Sequence, residues 1–103
     1  MSKKVFMLST TRCGHCKQAK AFINSKYPDL TEDQFTYFQY DADQPTDESR
    51  GVLGAAQQLG IRGVPFTVLI EGKEILKAVR GYDRVNIQML LDEVVGDVKE
   101  IDG

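Results

Sequence analysis

The sequence predicts an α/β domain: a mixed four-stranded sheet in the order β-α-β-α-β-β-α, with helices on both faces. Three observations carry that expectation. Short apolar runs alternate with stretches of helical periodicity along the first half of the chain. A strand, crossover helix and second strand in that order form a parallel, right-handed unit. Only Glu71-Gly72-Lys73 separates the last two strand-like segments, so these close as an antiparallel hairpin. At 103 residues there is room for one domain with a single modest core. That domain is expected over residues 1–96, with a polar tail over 97–103.

Residues 4–9 are built on a short continuous apolar run, Val5-Phe6-Met7-Leu8, as in a strand buried on both faces of a sheet. Behind it Cys16, Ala19, Lys20, Phe22 and Ile23 recur at helical spacing. This first helix should stop near Tyr27, because Pro28 disfavours helical geometry in the residue before it. Thr31 to Gln34 fits either a capping box for one helical turn or a plain loop. Residues 35–40 are aromatic and rich in strand formers. A turn at Asp43-Gln44-Pro45-Thr46 leads to a second helix with Val52, Ala55, Ala56 and Leu59 on its apolar face. Gly51 and Gly54 weaken that helix, and Gly60 suits its C-terminal stop. Residues 66–70 and 74–79 are the hairpin strands. Gly81 breaks the chain, and Asp83 can cap a last helix with an apolar stripe of Ile87, Leu90, Leu91 and Val94. Gly96 is expected to end it.

Composition excludes some classes. A hydrophobic fraction of 42% and a charged fraction of 27% are those of a folded globular protein, so disorder and membrane spanning are poor readings. The apolar run behind Lys3-Lys4 is too short for a signal peptide and no small-residue cleavage site follows, which points to the cytoplasm. Lys3, Lys4, Arg12, Lys17, Lys20 and Lys26 precede the first acidic residue, Asp29. These cations are scattered over strand and helix without interleaved aromatics, and the net charge is −2. They describe a solvated surface and not a nucleic-acid site.

The chain has 2 cysteines, Cys13 and Cys16. A bond between them would close almost no loop and so remove little entropy from the unfolded state. The pair is badly placed for holding a fold together and well placed for chemistry. Cys13 starts a helix, where unpaired N–H groups and the positive end of the helix dipole favour a thiolate. Cys16 lies about a turn further on, facing inward, ready to attack a mixed disulfide formed at Cys13. Arg12 and Lys17 add exposed positive charge. His15 is either an exposed loop histidine or a group that stabilises the Cys13 thiolate and makes the disulfide more oxidising. Zinc needs four ligands, which Cys13, Cys16 and His15 do not supply. A metal or iron–sulfur cluster shared between two chains is the reading left open from that side.

Cys13-Gly14-His15-Cys16 after a first strand, with Gly63-Val64-Pro65 later in the chain, resembles the thioredoxin/glutaredoxin superfamily over residues 4–95. The resemblance implies a thioredoxin-like fold and a thiol–disulfide oxidoreductase with Cys13 as nucleophile and Cys16 as resolving thiol. It implies a cis Val64-Pro65 bond beside the thiols, with the Val64 backbone holding extended substrate. Gly81-Tyr82-Asp83 looks like a glutaredoxin stretch that holds glutathione, which implies a glutathione site of Arg12, Val64, Tyr82 and Asp83; with Gly14, Pro65 and Gly81 these are the expected substrate-binding residues. For Asp83 a plain helix cap is the alternative. Gly60-Ile61-Arg62-Gly63-Val64-Pro65 is similar to the thioredoxin proline segment instead. The buried aspartate of thioredoxins is replaced by Met7, and the tryptophan before the first cysteine by Arg12. The implied protein is a small monomeric glutaredoxin-like dithiol redoxin without bound cofactor, reduced by glutathione. The alternative is a thioredoxin-like donor, for example to ribonucleotide reductase, recharged by a flavoprotein disulfide reductase such as thioredoxin reductase.

Overall fold

The computed structural model describes residues 3–61 and 63–102. The chain runs β1 (Lys3–Ser9), α1 (Gly14–Lys26), β2 (Phe35–Gln39), α2 (Asp47–Gln58), β3 (Phe66–Glu71), β4 (Glu74–Arg80) and α3 (Arg84–Asp102). The sheet order is β2-β1-β3-β4, with β1 parallel to β2 and antiparallel to β3, and β3 antiparallel to β4. The expected α/β architecture is therefore the one observed.

β1 is an inner strand, and from Val5 to Ser9 every residue is buried. Alternation sends its side chains to two cores. Val5 and Met7 join Ala19 and Ile23 of α1 and Ile87, Leu90, Leu91 and Val94 of α3. Phe6 and Leu8 join Val52 and Ala56 of α2 with Phe66, Val68 and Ile70 of β3. Each Val, Leu, Ile, Phe or Met side chain among these contributes about 1.5–3 kcal/mol when fully buried. α1 and α3 thus cover one face of the sheet and α2 the other.

Local chemistry sets the element ends. At residues 31–34 the chain takes a turn and not a helix. Gln34 Oε1 accepts from Thr31 N–H (3.1 Å), but Gln34 N–H goes to the Thr31 carbonyl (3.0 Å) and β2 starts one residue later. α2 opens with a capping box in which the Thr46 and Ser49 side chains each accept the other's backbone N–H. That cap, with burial of Val52 and Ala56, outweighs Gly51 and Gly54.

Two expectations need correction. Leu59 does not complete the apolar face of α2; it is 56% exposed. The helix ends before it, and Gly60 at φ 72° turns the chain back. Ile61 N–H then bonds the Ala56 carbonyl (2.9 Å) and Gly60 N–H the Gln57 carbonyl (3.1 Å), a Schellman motif. Ile61 packs against the α2 core in the place assigned to Leu59. Nor does Gly96 end the last helix. Gly96 is not among the glycines with positive φ, so the backbone of α3 continues to Asp102 through what was expected to be a tail. A mid-helix glycine costs about 1 kcal/mol but does not by itself stop the ladder.

Tyr27, the C-cap of α1, ties that helix to α3 by donating its hydroxyl to Asp92 Oδ1 (2.6 Å). Burial, then the hydrogen bond to Asp92 and the negative charge of Asp92, push the phenol above its usual range. A raised folded-state value means the tie is intact below the ordinary tyrosine value of about 10 and lost as pH rises through the folded one. Tyr27→Phe should lower the melting temperature at pH 7 by about 4–8 °C, for a loss of about 1 kcal/mol. The gap between the two proteins should narrow above about pH 10. Thermal melts followed by circular dichroism at both pH values check this.

Candidate active site

β1 delivers the chain to a tight turn before α1. Cys13 N–H reaches back to the Thr10 carbonyl at 3.4 Å, and Lys17 N–H donates to the Cys13 carbonyl at 3.2 Å. Cys13 is the N-cap of α1, with extended backbone (φ −85°, ψ 107°). Its side chain takes the place of the usual hydroxyl or carboxylate cap: Sγ accepts the Cys16 N–H at 3.1 Å. The first turn holds no acidic residue, so nothing on the helix opposes the partial positive charge at this end. Cys13 and Cys16 are joined in a disulfide, with Cα atoms 5.2 Å apart.

Exposure divides the pair. Cys16 is 0% exposed, whereas Cys13 is half-buried and Arg12, Gly14, His15 and Lys17 are open to solvent. An incoming sulfur can therefore reach Cys13 and not Cys16. The asymmetry expected from the helical spacing is present.

A second loop completes the site. The Val64 carbonyl oxygen lies 3.6 Å from Cys13 Sγ, and the Val64-Pro65 bond is cis, as the family resemblance implies. Gly81 N–H donates to the Pro65 carbonyl at 2.8 Å. Gly81 has φ 68°, a left-handed conformation that disfavours any side chain. The structure thus brings Cys13, Val64, Pro65 and Gly81 together. Tyr82 turns its ring to the α1–α3 core. Asp83 is the helix cap: Oδ1 accepts Asn86 N–H (3.2 Å) and Oδ2 accepts Asn86 Nδ2 (2.6 Å). Arg62, part of the expected proline segment, lies outside the described residues.

Sequence reasoning missed Asp41. Its Oδ1 accepts Thr11 N–H at 3.0 Å, with Oδ2 at 3.3 Å, and Oδ2 accepts the Thr11 hydroxyl at 2.6 Å. The Thr11 hydroxyl first, then backbone N–H groups and the nearby Arg12 charge, hold its carboxyl below the usual range, against a smaller opposing effect of burial. One signal could have found it. Parallel strands leave a sheet at the same end, so the residues after β2 emerge beside those after β1.

Met7, on β1, is fully buried in the core shared with α1 and α3. Its cross-strand neighbours are Tyr37 and Thr67, whose buried hydroxyls have no hydrogen-bond partner among the described residues. Among the described residues no three His, Cys, Asp or Glu side chains gather as a metal site, and no helix is long and apolar enough to cross a membrane.

Neither a family model nor a curated protein sequence matches the chain. Solved structures do. A thioredoxin h from Nicotiana alata superposes with a TM-score of 0.64 at 19% identity, covering 90% of this chain and 73% of that one. The fold is that of the thioredoxins. Thioredoxin from Fasciola hepatica matches with a TM-score of 0.64 at 14% identity, over 90% of this chain and 81% of the other. Thioredoxin f2 from Chlamydomonas reinhardtii matches with a TM-score of 0.62 at 17% identity, over 89% and 78%. The four strands and three helices among the described residues thus share a fold with these thioredoxins.

The exposure difference predicts the order of reaction. After reduction, iodoacetamide at neutral pH should modify Cys13 at least about tenfold faster than Cys16, since rate follows thiolate fraction and access. Peptide mapping by mass spectrometry at short times reads the ratio.

Proposed function

We propose that this chain is a dithiol thiol–disulfide oxidoreductase, a glutaredoxin-like redoxin working through Cys13-Gly14-His15-Cys16. One observation carries the reading. A half-exposed sulfur caps the N-terminus of α1 beside the Val64 carbonyl, and its disulfide partner is fully buried.

The cycle follows from that geometry. In the reduced protein the Cys13 thiolate attacks one sulfur of a substrate disulfide, the substrate S–S bond breaks, and the other substrate sulfur leaves as a thiolate. The Cys16 thiolate then attacks Cys13 Sγ, the mixed disulfide breaks, and the second substrate thiolate leaves. Two electrons have passed to the substrate and the Cys13–Cys16 disulfide has formed. The released thiolates take their protons from solvent, and Cys16 loses its own to solvent or a neighbouring group. The Cys16 N–H and the α1 dipole stabilise negative charge on Cys13, and His15 tunes the potential in the same direction. Val64 and Pro65 hold an extended substrate segment, with Arg12, Gly14, Gly81, Tyr82 and Asp83 bordering it. Two molecules of glutathione restore the dithiol. In a reducing cytoplasm the pair is kept ready for the next turnover.

A second electron source is favoured by two specific observations. The structural neighbours named above are thioredoxins. Both oxygens of Asp83, a residue the glutathione reading relies on, are engaged by Asn86. In this reading a flavoprotein disulfide reductase recharges the pair, with ribonucleotide reductase one candidate acceptor.

The deciding assay is glutathione-dependent turnover of a small mixed disulfide, coupled to glutathione reductase and NADPH. Wild type and Cys16→Ser should both turn over, while Cys13→Ser falls to background. Absence of turnover in wild type, with rapid reduction of its disulfide by thioredoxin reductase, would favour the second source. Failure with both reductants would overturn the oxidoreductase reading.

A further inference from the structure

We propose that Asp41 is a positioning residue for the reaction at Cys13, locking the turn that aims the sulfur along the N-terminus of α1. The inference rests on the oxidoreductase reading for its purpose, but its geometry stands separately.

The turn from Thr10 to Cys13 is weakly closed from within. Its own backbone bond, Cys13 N–H to the Thr10 carbonyl, is 3.4 Å, beyond the usual 2.7–3.2 Å range of about 2.9–3.0 Å at its mode. The constraint comes instead from the turn that follows the neighbouring strand, β2. The amide and the hydroxyl of Thr11 both donate to one carboxylate, at 3.0 Å and 2.6 Å. Two donors from one residue fix the orientation of the turn as well as its position. Bonds of this kind, to a charged acceptor, are stronger than neutral ones.

The turn that carries Asp41 is itself held. Asp43 Oδ2 accepts Gln39 N–H at 2.8 Å, and the Ala42 and Asp43 N–H groups both donate to the Gln39 carbonyl at 3.1 and 2.8 Å. Tyr40 N–H bonds the Ser9 carbonyl at 3.0 Å, carrying the β1–β2 pairing one residue past its register. The connection therefore runs from the sheet through Asp41 to Thr11, two residues before the cap.

Cys13 depends on that aim. Its thiolate is stabilised only while Sγ stays near the Cys16 N–H, now 3.1 Å away, and hydrogen bonds weaken steeply with misalignment. Asp41 is exposed, so the clamp's consequence lies in geometry and not in global stability.

Charge alone would act in the opposite sense. A carboxylate near the thiol disfavours a thiolate, so simply removing it would lower the thiol pKa. Two variants in a Cys16→Ser background separate the effects, read by the pH dependence of iodoacetamide alkylation at Cys13. Asp41→Ala removes the acceptor and should raise the Cys13 pKa by about one unit, an approximately tenfold loss of thiolate at a given pH below it. Asp41→Asn keeps an acceptor oxygen for Thr11 and should leave the value at or below that of the parent. Circular dichroism should show both variants folded. An unchanged pKa in Asp41→Ala, or a fall in both variants, would overturn the proposal. Wild-type failure with both reductants would instead count against the oxidoreductase reading and leave the Cys13 measurement standing.

Discussion

The position of β1 between a parallel and an antiparallel neighbour is the constraint on which the site depends. Because β1 and β2 run the same way, the turn before α1 and the turn after β2 leave the sheet together. Because β3 runs the other way beside β1, the residues before β3 arrive at that same end. Thr11, Asp41 and Val64 are far apart in sequence and meet for this topological reason. The strand can occupy that position because it is apolar on both faces, with Val5 and Met7 directed to one core and Phe6 and Leu8 to the other. A one-residue slip in its register would exchange those faces and move every loop of the site.

Two opposed requirements meet at the cysteine pair. In the proposed cycle the sulfur that takes part in exchange has to face solvent and favour the charged form. The one that resolves the intermediate has to be kept from foreign disulfides. A helix start satisfies both within one turn. Its cap position is outside the helix and beside unpaired N–H groups, while the position three residues on points into the protein. Burial of Cys16 against α1's own core face protects it but also disfavours its thiolate. The departure at Met7 sharpens this, because an apolar residue stands where the resemblance leads one to expect a carboxylate. The row across the sheet at Met7 still holds two buried hydroxyls, those of Tyr37 and Thr67, so it is not purely apolar.

Much of this was legible in the sequence, and the reasons differ by element. β1 was readable because an apolar run has one simple meaning at the centre of a sheet. The α3 stripe was readable because Ile87, Leu90, Leu91 and Val94 repeat with the helical period, and all are buried. The cysteine pair was readable because its spacing is useless for stapling. Leu59 was misread because periodicity does not say where a helix stops; the left-handed Gly60 decided that and gave the place against the core to the partly buried Ile61. Gly96 was misread for the complementary reason, since glycine allows a stop without compelling one. Asp41 was invisible as a functional residue because its meaning lies in a partner thirty positions away in sequence.

That last case shows why stability and function weigh residues differently here. The buried clusters set whether the chain folds, through many side chains each contributing a modest amount. Exposed polar contacts such as the one between Asp41 and Thr11 add little to that sum, because water competes for every donor and acceptor. Reactivity at Cys13, however, is governed by a few distances at one helix end. A shift of a few tenths of an ångström there changes the field at a single sulfur while leaving the cores untouched. A contact can thus be nearly neutral for the fold and still decide how the site behaves. The polar residues just beyond the C-terminal ends of β1 and β2 are therefore where the chemistry of this framework can be tuned without disturbing the sheet that supports it.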